Sequence, residues 1–321
     1  MPLLDVQGLK TYYTTMRGPV RAVEGVNFQV DKGEALGLAG ESGCGKTTVA
    51  LSLLRLLPSA GNIIGGKVLF DNTNLVELNE DEMRKNIRWK RMSIVFQGAM
   101  NALNPVYKVG DQIVEAIVTH ESDISKKEAE QRTEKLLEMV GIGRGRGSNY
   151  PHEFSGGMRQ RALIAMSLAC NPDLVIADEP GTALDVIVQA QVLKLLRELK
   201  SKLNLAMILI THDLSIIAET CEKTAIMYAG YMAEYGDVVG VFKEPKHPYT
   251  QGLMAAFPSI RAARVKMASI PGQPPDLLDP PTGCRFHPRC PYAMDVCKKS
   301  EPELEEVGKN HFVACYLVSK S

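Results

Sequence analysis

Residues Gly40–Thr48, GESGCGKTT, carry the spacing G-x-x-x-x-G-K-T between Gly40 and Thr47. An apolar run, EALGLAG (34–40), leads into this loop, and a helix-forming stretch (47–57) leaves it. That setting turns a glycine loop into a phosphate cradle. Glycines let backbone N–H groups face phosphate oxygens, and the helix start adds the positive end of its dipole. Here Gly40, Glu41, Ser42, Gly43, Cys44, Gly45 and Thr48 would enclose a nucleotide such as ATP. Lys46 would reach the β- and γ-phosphates, and the Thr47 hydroxyl would hold Mg2+. Cys44 reads as a small spacer, although a thiol at a helix start can also become redox-sensitive. Hydrolysis needs more than a cradle. The run DLVIADE (173–179) brings Asp178 and Glu179 to a strand end. Asp178 is the candidate Mg2+ partner, through water, and Glu179 the candidate general base. His212 in LITHD is a candidate partner for the γ-phosphate. Gln97, which ends IVFQ, is a candidate for contact with Mg2+ or the attacking water.

A second anion-binding corner lies in HEFSGGMRQR (152–161), where Ser155, Gly156 and Gly157 open another helix. It has no lysine of its own and no metal-binding hydroxyl after it. A helix terminus stabilises a nearby charge by roughly 0.3–1 kcal/mol, up to about 2 kcal/mol when partly buried. That is too little to hold ATP alone and enough to complete a site that already holds it. Arg159 and Arg161 follow on the helix and need not face the anion.

A third group is the cysteines. Cys44, Cys170 and Cys221 are scattered, whereas Cys284, Cys290, Cys297 and Cys315 follow the spacing C-x5-C-x6-C-x17-C. In a reducing compartment such a cluster points to a metal site rather than to disulfides. Zinc sites usually contain C-x2–4-C pairs, and this spacing has none. Four thiolates also suit an iron–sulfur cluster, and Cys290-Pro291 echoes some ferredoxin runs. The leading expectation is [4Fe–4S], with zinc and no metal as alternatives. His287 and His311 read as surface histidines, with ligation as the alternative.

The elements that must position these groups follow from hydrophobic pattern. Residues 2–39 read as strands, with Val26, Phe28 and Val30 alternating with polar neighbours. EALGLAG, MSIVFQ (92–97), DLVIADE and AMILITHD (206–213) are short apolar runs ending on polar residues. They suit parallel strands buried on both faces, with function at their carboxyl ends. Residues 186–203 put Val192, Leu195, Leu196, Leu199 and Leu203 on one helix face. Ser125 and Glu128 form a capping box opening a helix to about Val140. TAIMYAGYMAEYG (224–236) predicts a hairpin centred on Ala229-Gly230. The expected organisation is an α/β P-loop NTPase (RecA-like) core over 1–240, with a β-subdomain and an inserted helical subdomain at about 98–160. A small, irregular, proline-rich, metal-binding extension is expected over 241–321.

The bulk numbers agree with a globular enzyme. The 321 residues are 45% hydrophobic, and Lys+Arg and Asp+Glu both total 37. That balance argues against nucleic acid as the main partner. No apolar run reaches the roughly 18 residues of a membrane span, and MPLLDVQGLK lacks a signal-peptide pattern. A cytosolic location is expected.

Taken together, Gly40–Thr48, Gln97, FSGGMRQ, LVIADEP, TALD and THD resemble the nucleotide-binding subunits of ABC transporters in order and spacing over roughly 1–240. The resemblance implies that Ser155 and its glycines bind the γ-phosphate of ATP held by a second ATPase subunit, identical or different. Two chains would then pair head to tail around two nucleotides. It implies that Asp185 of TALD crosses that interface and that Tyr13 stacks on adenine, with Tyr12 the nearby alternative. Phe154 and Gly181 depart from the commoner leucine and serine or threonine of that family. HPYT (247–250), IPGQPPDL and GCRFHPRCP resemble the tail of dipeptide and oligopeptide importer ATPases. This implies integral membrane permease partners, an extracytoplasmic substrate-binding protein and a position on the cytoplasmic face of the membrane. A nickel importer ATPase and a soluble ABC ATPase outside transport are the alternatives.

Overall fold

The computed structural model describes residues 1–98, 102–256 and 270–319. The expected helical subdomain and C-terminal extension therefore each include residues outside the described ones (99–101, and 257–269 with 320–321). The chain forms two compact units, one inserted in the other: Met1–Val76 with Ile210–Ser321, and Glu77–Leu209.

The first unit begins with β1 (Leu4–Thr15), β2 (Gly18–Val30), β3 (Ala35–Ala39), α1 (Lys46–Leu54), β4 (Gly61–Phe70) and β5 (Thr73–Asn74). The inserted unit carries α2 (Glu80–Glu82), β6 (Met92–Val95), α3 (Val109–His120), α4 (Lys126–Met139), α5 (Gly156–Ser167), β7 (Leu174–Asp178) and α6 (Val186–Leu203), with β8 (Ala206–Ile210) at its end. The first unit then resumes with α7 (Leu214–Thr220), β9 (Lys223–Tyr228), β10 (Tyr231–Asp237), α8 (Val238–Lys243), α9 (Pro248–Ala256), α10 (Asp295–Lys299), β11 (Glu305–Gly308) and β12 (His311–Val313).

In the first unit an antiparallel sheet of order β2-β1-β4-β5 accompanies strands ordered β11-β12-β10-β9-β3. Every residue of β3 is buried, and β3 runs parallel to β9. That is why ALGLA reads as one unbroken apolar run rather than as an alternation. The β9–β10 hairpin turns on two residues, with Tyr228 opposite Tyr231. Ala229 (φ 47°) and Gly230 (φ 88°) both take the left-handed region, as a tight hairpin of this twist requires. The C-terminal stretch is more regular than its prolines imply. β12 pairs antiparallel with β10, and β11 with β12. The backbone edge of β10 needs hydrogen-bond partners, and the tail supplies them.

In the inserted unit β8, β7 and β6 lie side by side, with β6 and β7 parallel. All of β7 and β8 is buried. The Ser125–Glu128 capping box is present, and Ser125 also accepts from the Glu128 N–H. Helix α6 buries Val192, Leu195, Leu196 and Leu199, but Leu203 is 38% exposed. Asn204 caps the helix at once in the left-handed conformation (φ 51°), so the last turn frays from the core face. Likewise α1 stops at Leu54, short of residue 57, because Arg55 turns left-handed (φ 51°).

Candidate functional site

The glycine loop sits between β3 and α1 in the first unit. Two of its glycines are sterically required. A Cβ on Gly40 (φ 148°) would lie 2.1 Å from the Met227 carbonyl oxygen, and one on Gly45 (φ 104°) 2.2 Å from that of Ala22. Lys46 is 7% exposed, and its ammonium donates to the Gly40 carbonyl at 2.8 Å and the Glu41 carbonyl at 3.0 Å. The loop thus holds its own cation at the place where a phosphate would arrive. Cys44 is 4% exposed, and burial pushes its thiol up, so it is a protonated spacer rather than an activated nucleophile. Ser42, Gly43 and Thr47 are exposed, and Thr48 is half-buried.

Tyr13 and Tyr12 separate cleanly. The Tyr13 hydroxyl lies 3.3 Å from Thr48 Oγ1, and its ring packs against Gly61, where a Cβ would come within 2.8 Å of it. Tyr12 donates instead to Glu24, and burial with that carboxylate raises its phenol to about 12. His212 is exposed just after β8, between Thr211, whose N–H donates to Leu38 at 3.3 Å, and Asp213, which caps α7.

The inserted unit assembles the second group. Asp178, 1% exposed, ends β7. Glu179 follows with φ 46°, a left-handed backbone on a non-glycine residue. Such strain costs on the order of 1–3 kcal/mol and collects at functional sites. Its Oε2 accepts from Gln97 Nε2 at 2.9 Å and from Thr182 Oγ1 at 2.8 Å. Those two donors orient the carboxylate. Gly181 packs so closely on α6 that a Cβ would lie 2.5 Å from Gln189 Cγ. A side chain at this departure would require Gln189 to move. Phe154, the other departure, is buried at 3% exposure and keeps the apolar anchor.

Ser155 caps α5, its Oγ accepting the Met158 N–H at 3.3 Å. Asp185 caps α6, accepting the Val188 N–H at 2.9 Å. A Cβ on Gly157 would lie 2.5 Å from Val188 Cγ1, so the two helix starts are in contact and both caps share one flank. Gly156 lies between them in sequence, half-buried in the first turn of α5. Arg159 and Arg161 turn away from it, donating to the Pro151 and Val140 carbonyls at 2.8 and 2.9 Å.

Several buried residues of the C-terminal region escaped sequence reasoning because their types are not catalytic by pattern. Tyr249, fully buried, accepts the Glu41 N–H on its hydroxyl at 2.9 Å. Arg289 donates to both oxygens of the Glu41 carboxylate, at 2.6 and 3.0 Å. His247 begins the HPYT segment, and its Nδ1 accepts the Tyr249 N–H at 3.0 Å. Its own N–H donates to Glu234, a fully buried carboxylate, at 3.0 Å. His311 is not a surface histidine. It is 9% exposed, and its Nε2 lies 2.6 Å from Glu234, because β12 is drawn onto the sheet edge.

Burial lowers the His247 imidazole to about 4. A folded pKa below the unfolded value of about 6.5 favours the native state fully above pH 6.5. That contribution is lost as pH falls from 6.5 toward 4. Substituting His247→Asn, which keeps a capping acceptor without titrating, should flatten the decline. The difference in unfolding free energy between pH 7 and pH 4 should shrink by on the order of 3 kcal/mol in denaturant titrations. An unchanged slope would remove His247 from this role.

Cys284, Cys290, Cys297 and Cys315 line a single small cavity of about 10 Å³ with His287 and Tyr316. The Cys284 N–H donates to the Cys297 carbonyl at 2.8 Å, and His287 Nδ1 lies 2.9 Å from the Cys284 carbonyl. Burial raises the Cys284 thiol to about 12 and pushes those of Cys290 and Cys315 upward. Among the described residues, no three His, Cys, Asp or Glu side chains converge as ligands of one ion. The thiols share a cavity without forming a single-ion site.

Comparison with known proteins places these features. The ABC transporter family model matches residues 23–182, and the oligopeptide/dipeptide transporter C-terminal region model matches residues 233–297. The chain is 48% identical to the probable peptide ABC transporter ATP-binding protein y4tR of Sinorhizobium fredii, covering 98% of this chain and 94% of that one. It is 46% identical to the oligopeptide transport ATP-binding protein OppD of Bacillus subtilis, covering 98% and 89%. Among solved structures, the dimeric post-hydrolysis state of the ATP-binding cassette MJ0796 bound to ADP and Pi superposes with a TM-score of 0.65 at 26% identity, covering 73% of this chain and 98% of that one. CbiO1 of Clostridium perfringens, part of the ABC transporter complex cbiONQ, gives 0.66 at 27% identity, covering 76% and 91%.

Proposed function

Because the chain belongs to the ABC transporter ATP-binding family and carries the oligopeptide/dipeptide transporter C-terminal region, we propose that it is the ATP-hydrolysing subunit of an importer for dipeptides or oligopeptides. The observation that carries this reading is a glycine loop that admits no Cβ at Gly40 or Gly45 and holds Lys46, in a chain that follows peptide-transport relatives over 98% of its length.

The chemistry follows from the residues. The loop N–H groups and Lys46 bind the triphosphate, and Tyr13 stacks on the base. Glu179, oriented by Gln97 and Thr182, accepts a proton from the water that attacks the γ-phosphorus, releasing ADP and phosphate. His212 hydrogen-bonds the γ-phosphate. The resemblance assigns Mg2+ to the Thr47 hydroxyl, the Asp178 carboxylate and the Gln97 amide oxygen, all of the oxygen type Mg2+ takes, and Asp178 is buried. When bound, Mg2+ neutralises charge on the β- and γ-phosphates.

A second ATPase subunit completes each site, its Ser155, Gly156 and Gly157 closing on the γ-phosphate and its Asp185 crossing the interface. The exposure of Val186 (81%) and Ile187 (72%) beside Asp185 supports a covered partner surface there. Val106 and Tyr107, 70% and 58% exposed, support a second such surface, for the membrane permease. Among the described residues no helix is long and apolar enough to cross a membrane. The chain acts as a peripheral subunit on the cytoplasmic face, fed indirectly by an extracytoplasmic binding protein. Reconstitution with the permease tests the cargo: ATP turnover stimulated by short peptides supports the reading. Stimulation by nickel alone, or co-purification with ribosomes or DNA rather than a membrane protein, overturns it.

The cysteine cavity holds a [4Fe–4S] cluster in this reading. Its support is four thiols around one cavity and no carboxylate among its lining residues. A bound metal centre would staple a tail with little core of its own. Anaerobic purification should yield about four irons and four sulfides per chain, as the cluster formula requires. One zinc, or no metal, overturns it.

A further inference from the structure

A phosphate-binding loop gains nothing from a carboxylate, yet Glu41 is its second residue. The structure shows what neutralises it. Arg289, whose side chain is 5% exposed, meets the Glu41 carboxylate with a two-pronged fork, the geometry guanidinium shares with carboxylates. Arg289 is itself held, donating through Nε to Pro271 at 2.8 Å and through Nη1 to the Tyr228 hydroxyl at 3.3 Å. The Tyr228 ring packs on Tyr249 and Phe286 at centroid distances of 4.6 and 5.1 Å. Tyr249 in turn accepts the Glu41 N–H. The loop is thus gripped at one residue by both its backbone and its side chain, and both grips come from the C-terminal region.

We infer that Arg289 and Tyr249 are positioning residues of the nucleotide site: they clamp the glycine loop through Glu41 and cancel its charge before the triphosphate arrives. This rests on the ATP-site reading above and extends it to a region outside the nucleotide-binding motifs. Arg289 directly precedes Cys290, so the segment that carries the clamp also lines the cysteine cavity. The C-terminal region is then part of the ATPase rather than an appendage to it.

Binding of Mg-ATP to the full-length chain by calorimetry, with steady-state turnover, tests the clamp. Arg289→Met should raise Kd and KM for ATP about tenfold or more, as loss of a buried charge partner does, with kcat at saturation largely kept. Adding Glu41→Gln to Arg289→Met should recover about threefold or more of that loss, because the uncancelled carboxylate is gone. A merely structural role for Arg289 would give no such rescue. If Arg289→Met binds ATP within about twofold of the parent, or the double variant binds no better than the single, the clamp is wrong. Should Arg289→Met fail to fold, Tyr249→Phe deletes one hydroxyl and should weaken binding about fivefold; unchanged binding there is equally fatal. Lys46→Ala, run in parallel, separates the two readings. If Lys46→Ala also leaves ATP binding intact, the ATP site itself has failed. If only the Arg289 and Tyr249 variants are silent, the clamp alone has.

Discussion

Replacing Glu179 with glutamine should lower ATP turnover by about a hundredfold to ten-thousandfold, the usual share of a positioned general base. Glutamine has the same shape and can still accept from Gln97 and Thr182 through its carbonyl oxygen. The positive φ of 46° belongs to the backbone and survives the change. What is lost is the capacity to take a proton from water. ATP binding, which rests on Gly40–Thr48, should therefore remain within about threefold of the parent value, a difference well under the 1.4 kcal/mol that a tenfold change represents. The nucleotide-bound pair of subunits should persist, because the step that reopens it is blocked. Size-exclusion chromatography with Mg-ATP and single-turnover kinetics check both halves. Normal turnover would remove Glu179 from the role of base.

Gly157→Ala should cost about a hundredfold to a thousandfold in turnover while leaving ATP affinity of the isolated chain unchanged. A methyl at that position would meet Val188 Cγ1 at 2.5 Å. The start of α5 must then shift from the start of α6, carrying the Ser155 cap and its backbone N–H groups with it. Donors preorganised for a developing negative charge typically contribute about that much when one is lost. The separation of affinity from turnover is the informative part. In the proposed pairing, the glycine loop that binds ATP and the serine–glycine corner that closes on it lie on different chains. Where the second subunit is a copy of this chain, mixing Gly157→Ala chains with Lys46→Ala chains should restore part of the activity, since one of the two composite sites is then whole. If Gly157→Ala leaves turnover untouched, catalysis does not pass through that corner.

Much of the candidate site is legible in the sequence. The glycine loop, Asp178, Glu179 and the serine–glycine corner announce themselves because their chemistry needs particular residue types at fixed local spacing. The strands were legible for the same reason: a run buried on both faces has no polar residue to interrupt it. Helix α4 was equally plain, since a capping box is a contact between residues three apart. Leu203 and residues 55–57 misled because helix ends depend on left-handed caps at Asn204 and Arg55, which composition does not reveal.

What local pattern determined, then, is the inventory of phosphate chemistry and the elements that carry it. What only the tertiary structure decided is who holds that inventory in place. Arg289 meets Glu41 across 248 residues of chain, and Tyr249 meets it across 208. Glu234 draws His247 and His311 together, turning two apparently ordinary histidines into buried structural groups. Such partners leave no periodic trace, because a hydrogen bond between distant residues constrains geometry in space and imposes nothing on the spacing between them.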